Sequence, residues 1–150
     1  MQRNNQKKTA AVDAKKFKIA IVVAKFNEDI TGGMLKGALE TLEKNGAHEK
    51  NVELVWVPGA LEIPLACQRL AKTKKYQGIV ALGCVIKGDT DHYYYVCEQS
   101  ISRLMQVSLE NNLPIGMGII TTDNLKQAKD RAGTKNNKGT EATQAMLEMI

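Results

Sequence analysis

His92 is one of two histidines in a chain of 150 residues, and it follows the small polar run Gly88-Asp89-Thr90-Asp91. That spacing suits proton transfer beside an anion. Glycine lets the backbone turn closely, and Asp and Thr are helix-start residues. A helix N-terminus offers unpaired N–H groups and the positive end of the dipole, which together hold an anion. A histidine one turn away is the side chain best suited to general acid–base work near neutral pH. The competing reading is plain N-capping with a helix-start histidine. Elsewhere, Phe26 offers a flat apolar ring and Glu62 an acceptor for ligand hydroxyls; the alternatives are a rim aromatic and a dipole-matching carboxylate. Neither a Walker loop nor a complete dinucleotide fingerprint is present, since "GMGIIT" lacks the third glycine.

These residues need a scaffold, and the hydrophobic pattern supplies one. Apolar runs at "FKIAIVV" (17–23), "VELVWV" (52–57), "GIVALGCVI" (78–86) and "PIGMGIIT" (114–121) read as strands. Between them, helices are expected over 28–46, 60–75 and about 92–111, followed by a short helix over 122–133 and a last one over 138–150. In the first helix the stripe is Met34, Leu35, Ala38, Leu39 and Leu42, with Gly46 as the stop; in the third it includes Val96, Ile101, Leu104, Val107 and Leu109. The tyrosines 93–95 point in three directions and read mostly as packing. Strands alternating with helices imply α/β: a three-layer α/β/α, flavodoxin-like fold with a four-stranded parallel sheet and helices on both faces. In such sheets ligands bind beyond the carboxyl ends of the strands. Those ends carry "AKFNED" (24–29), "VPGALE" (57–62) and "KGDTDH" (87–92).

Composition narrows the function classes. A chain of this length can bury roughly 70% of its unfolded surface in one domain. No apolar run reaches the ~18 residues of a membrane span. The opening "MQRNNQKKTAAVDAKK" has no apolar secretory core. Cys67, Cys84 and Cys97 lie in apolar patterns without a C-x-x-C pair, as buried reduced thiols of a cytoplasmic protein do. No metal site is expected. The net charge of +5 concentrates in residues 1–16, read as a flexible basic tail ahead of a domain over 17–150. A frayed terminus explains that tail more simply than a nucleic-acid arm, so no nucleic acid and no membrane is expected as a partner.

Taken together, "FN" at 26–27, "VPGALEIP" at 57–64, "ALGCVIKGDTDHYYYV" at 81–96 and "TTDNLKQAKDRAGTKNNKG" at 121–139 resemble the 6,7-dimethyl-8-ribityllumazine synthase family of riboflavin biosynthesis, from residue 17 onward. The resemblance implies condensation of 5-amino-6-(D-ribitylamino)uracil with 3,4-dihydroxy-2-butanone 4-phosphate, without metal or redox cofactor. It assigns Phe26 to stacking on the pyrimidine and Ala60, Leu61 and Glu62 to the ribityl chain. Cys84, Val85 and Ile86 line the ring pocket, with Asn27 and Lys138 near the ring. Asp89, Thr90 and Arg131 hold the phosphate, and His92 moves protons. It also implies a homopentamer in which Met117, Arg131 and Lys138 come from the adjacent subunit. In relatives, pentamers stop there or assemble into a shell of sixty chains, which can enclose riboflavin synthase. The chain departs from the family pattern at Met117, where an aromatic is common, and at Tyr94, where Asp is frequent. The segment 133–139 is about one residue shorter than usual. Three rival readings fit the residues less fully: a flavodoxin-like binder of a phosphorylated small molecule, a nucleic-acid-associated protein, and a shell protein with a decayed site.

Overall fold

The computed structural model describes residues 10–150. Four parallel strands stand in the order β2-β1-β3-β4: β1 Ile19–Ala24, β2 Val52–Val57, β3 Gly78–Ile86 and β4 Ile115–Thr122. All of β1 is buried, which its unbroken run of apolar residues requires, because both faces of a parallel sheet are covered. Ile19, Ile21 and Val23 face one core, under α1 (Glu28–Lys44) and α5 (Lys138–Glu148). Ala20, Val22 and Ala24 face the other, under α2 (Ile63–Lys72) and α3 (His92–Asn111). Each large aliphatic side chain so buried contributes about 1.5–3 kcal/mol. The expected three-layer α/β/α architecture is therefore present, and its strand order is the flavodoxin-like one. The chain reverses winding direction between β1 and β3.

Several boundaries differ from expectation for local reasons. α1 ends two residues early and closes with a Schellman motif: Gly46 N–H donates to Glu43 O and Ala47 N–H to Leu42 O. Gly46 takes φ 86°, the conformation that favours glycine there. Residues 60–62 form a separate 3₁₀ turn, so α2 begins at Ile63 and Pro64 falls in its first turn, where a missing N–H costs nothing. The short helix α4 is only Leu125–Asp130. Thr122, expected to open it, still belongs to β4, paired with Ile86, and Asn124 caps the helix instead. Leu39 and Leu109, counted in helical stripes, are exposed, and so are Tyr94 and Tyr95. Cys97 is half-buried rather than buried. Of the segment read as a tail, residues 1–9 lie outside the described residues. Val12 N–H donates to Asn45 Oδ1 and Ala14, fully buried, donates to Asn45 O. No helix among the described residues is long and apolar enough to cross a membrane.

Candidate active site

The carboxyl ends of β1, β2 and β3 part around a cleft of about 340 Å³. At the end of β1 the chain leans toward β2: Lys25 N–H donates to Val57 O and Phe26 N–H to Pro58 O. This presents the Phe26 ring to solvent, 71% exposed. Asn27 follows in the left-handed region (φ 59°, ψ 48°), and its Nδ2 donates to Cys84 O at 3.0 Å. Thr31, fully buried, ties the same turn down by donating to Ala24 O at 2.7 Å.

The end of β2 supplies Gly59, Ala60, Leu61 and Glu62 to the cleft wall. A Cβ at Gly59 would lie 3.2 Å from Glu62 Oε2 and 4.0 Å from Phe26 Cβ, so the carboxylate and the aromatic stand together above that glycine. The end of β3 forms the floor with Cys84, Val85 and Ile86, and the far wall carries Gly88, Thr90, His92 and Tyr93. Asp91 occupies the N-cap position of α3 without a side-chain capping bond, and Thr90 Oγ1 accepts from His92 N–H at 3.4 Å. The Asp91 side chain is thus free of capping, while the Thr90 hydroxyl faces the first N–H of α3. A Cβ at Gly88 would meet nothing within 4 Å, so the turn is open on that side.

Burial removes the cysteine as a nucleophile. It pushes the Cys84 thiol up to about 11, with Asp29 adding to the effect. Burial, then Cys97, also raises the Tyr93 phenol. His92 and Glu62 are the other ionisable side chains that line the cleft. The Tyr94 departure acquires a physical partner: Lys87 Nζ lies 5.4 Å from the centre of its ring, a cation–π contact.

A second cleft of about 360 Å³ runs along β4, the edge strand, and gathers Met117, Arg131 and Lys138. It shares no lining residue with the first. Arg131 Nη1 donates to Gln127 O at 2.9 Å and forms no ion pair among the described residues. Lys138 Nζ lies 2.6 Å from Glu141 Oε2. The two basic residues are joined by the 131–138 hairpin, in which Lys138 N–H donates to Arg131 O and Ala132 bridges Asn137.

The sequence-expected residues therefore fall into two groups. Phe26, Ala60, Leu61, Glu62, Cys84, Val85, Ile86, Thr90 and His92 share the first cleft, and Met117, Arg131 and Lys138 the second. Asn27 lies behind the first, and Asp89 is exposed in the turn beside it. Asn137 was missed. Its Nδ2 donates to Gly33 O and to Gly133 O, both at 3.0 Å, and its Oδ1 accepts from Thr140 N–H at 3.1 Å. One amide thus caps α5, closes the hairpin and ties it to α1. An asparagine directly before a helical pattern is the cap signature that could have found it.

A flavodoxin-like sheet with an aromatic, a carboxylate and a histidine at its switch point is the architecture of an α/β enzyme that holds its substrate beyond the strand ends. Comparison with known proteins specifies which. Residues 16–150 match the family described as 6,7-dimethyl-8-ribityllumazine synthase. A 6,7-dimethyl-8-ribityllumazine synthase from Leuconostoc mesenteroides is 48% identical over 144 residues, 95% of this chain and 92% of the relative. One from Desulfovibrio desulfuricans is 48% identical over 140 residues, 93% of this chain and 90% of the relative. The chain belongs to this family, transferases of riboflavin biosynthesis.

Proposed function

We propose that this chain condenses 5-amino-6-(D-ribitylamino)uracil with 3,4-dihydroxy-2-butanone 4-phosphate, giving 6,7-dimethyl-8-ribityllumazine, phosphate and water. The observation that carries the reading is the first cleft, where an exposed aromatic, a carboxylate and a histidine stand beside the glycine turn that starts α3. In this reading Phe26 stacks on the pyrimidine and Glu62 accepts from the ribityl hydroxyls, with Ala60 and Leu61 beside it. Val85 and Ile86 line the ring. The backbone of Asp89 and Thr90, at the start of α3, holds the phosphate, and Arg131 completes its charge pairing. The pyrimidine amine attacks the ketone and a first water leaves as the imine forms. Phosphate is then eliminated, the ring closes, and a second water is lost, with His92 carrying protons between nitrogen, carbon and the leaving oxygen. The amine and ketone react readily once aligned, so positioning supplies most of the acceleration; effective molarities of ~10⁵ M or more are available to it.

The separation of the two clefts supports a composite site. Arg131 and Lys138 have no common wall with His92 in one chain. A second copy presenting its β4 edge to the first cleft brings Met117, Arg131 and Lys138 to the substrate. A homopentamer, working in the cytoplasm, satisfies this with every site complete, because head-to-tail contacts close into rings. The domain is read as 17–150, and the end of the segment before it packs onto the domain through Val12 and Ala14.

The test is turnover on the purified chain, following lumazine absorbance and phosphate release together. Equimolar appearance of both above the uncatalysed rate supports the assignment. Ligand uptake without phosphate release overturns it in favour of a binder.

A further inference from the structure

The β1–β3 ladder ends at Val23 paired with Leu82, while β3 continues to Ile86 against β4 alone. The next N–H groups of the β1 side, from Lys25 and Phe26, have gone to β2. The strands therefore part just where the cleft opens. Cys84 sits at the fork, only 3% exposed. A carbonyl left without a partner there costs about 1–3 kcal/mol. The Asn27 side chain supplies that partner, crossing from the β1 side to Cys84 O at 3.0 Å.

Asn27 is not spending its side chain on the helix it begins. The first turn of α1 is bonded by its main-chain carbonyl, which accepts from Ile30 N–H at 2.9 Å and Thr31 N–H at 3.0 Å. Its left-handed backbone is a conformation in which asparagine is enriched several-fold among non-glycine residues. That conformation turns the amide back toward β3 while the preceding residue, Phe26, faces solvent. One residue thus replaces the missing ladder rung and fixes the distance between the stacking ring and the Cys84–Ile86 floor.

We infer that Asn27 is a positioning residue for pyrimidine binding, acting through the Cys84 carbonyl rather than by touching the ring. The inference deepens the synthase reading and rests on it. It sets the width of the slot into which the planar substrate slides, and leaves the phosphate end alone.

The test uses Asn27→Gly and Asn27→Asp in the full chain. Glycine keeps the left-handed backbone and removes the amide. Aspartate keeps the shape but turns a carboxylate oxygen toward a carbonyl oxygen. Both are expected to raise KM for the ribitylaminouracil by about fivefold, the factor one neutral hydrogen bond carries. KM for the butanone phosphate should stay near wild type. In the ligand-free protein, the ¹³C shift of a labelled Cys84 carbonyl should move in both variants. Equal rises in both KM values alongside a lowered Tm would mean a merely structural role and overturn the inference. An unmoved carbonyl shift with a raised pyrimidine KM would mean direct contact, and would overturn it too. If the wild type makes no lumazine, the synthase reading fails by itself, while the carbonyl shift still reports on the rung.

Discussion

The two clefts have nearly the same volume, about 340 and 360 Å³, yet they are built on opposite plans. The first lies at the winding reversal of the sheet. Its walls are three strand ends, and its position follows from the fold itself. The second lies along an edge strand, and its charged residues ride on a hairpin that the sheet does not hold. That hairpin depends on Asn137 and on close contact between α1 and α5. A Cβ at Gly139 would lie 1.9 Å from Met34 O, and one at Gly37 would lie 2.3 Å from Asn137 Oδ1. The chemistry divides in the same way. The first cleft carries the aromatic, the carboxylate and the histidine, and the second carries the arginine and the lysine. Neither is a whole site for a ring that must meet a phosphorylated ketone. The difference teaches that the sheet builds the first cleft, while helix packing places the charges of the second along the sheet edge.

The sharpest way to break that division is to damage each half in a separate chain. Arg131→Ala should lower kcat/KM by about 10- to 100-fold, since a charge-assisted hydrogen bond is worth roughly 1.5–3 kcal/mol. Arg131→Lys should recover only part of it, because the bidentate fork is lost. When Arg131→Ala and Phe26→Ala chains are co-assembled, random mixing in a head-to-tail ring restores both intact halves at about a quarter of the sites. With the pyrimidine held well below its KM and the Phe26→Ala effect about tenfold, activity above that of either parent assembly is the expected result. A mixture no better than its parents would place both clefts on one substrate within one chain.

A smaller effect is expected within the first cleft. His92→Ala should reduce kcat by no more than ~10²-fold, the low end of what an acid–base group contributes, with both KM values little changed. Phe26→Ala should raise KM for the pyrimidine by up to about tenfold, matching roughly 0.5–1.5 kcal/mol of stacking. A kcat loss without a KM change at Phe26 would move the stacking role to another residue.

What the residues disclosed in advance follows the same divide. β2, β3 and α3 fell where the apolar runs ended, because a buried strand or a long amphipathic helix writes its own boundaries. The first cleft was legible for that reason, since its residues are the residues that follow the strands. The bonds that set its width were not. Asn27 meets Cys84 across 57 residues of sequence, and Asn137 meets Gly33 across 104. Both are polar side chains in turns, where the local pattern records only that a turn exists. α4 was overdrawn because Thr122 and Asp123 look like a helix start, whereas the ladder to Ile86 keeps Thr122 in the sheet. Leu39 and Leu109 have the right spacing but face outward, a matter of packing that spacing alone does not decide.

Asn137→Ala should show the dependence of the second cleft on helix packing. Loss of the α5 cap costs about 0.5–2 kcal/mol, and a lower Tm with a several-fold higher KM for the butanone phosphate should follow. KM for the pyrimidine should hold, the reverse of the pattern expected at Asn27.

The smallest effect on activity is expected from the thiols. Burial pushes Cys84 up to about 11 and Cys67 up to about 12, so at pH 8 neither is a thiolate. Iodoacetamide at that pH should leave both unlabelled and the activity unchanged; rapid labelling of Cys84 with loss of pyrimidine binding would mean that the floor of the first cleft opens. The same shifts predict the sign of an alkaline effect. The folded protein holds these protons more tightly than the unfolded chain, whose thiols titrate near 9. Stability is therefore complete below pH 9 and falls as pH climbs toward 11–12, where the folded thiols also ionise. Cys67→Ala should flatten that decline in urea unfolding measured between pH 8 and 10.5. Because Cys67 lies on the buried face of α2 and lines neither cleft, the flattening should come with no change in either KM.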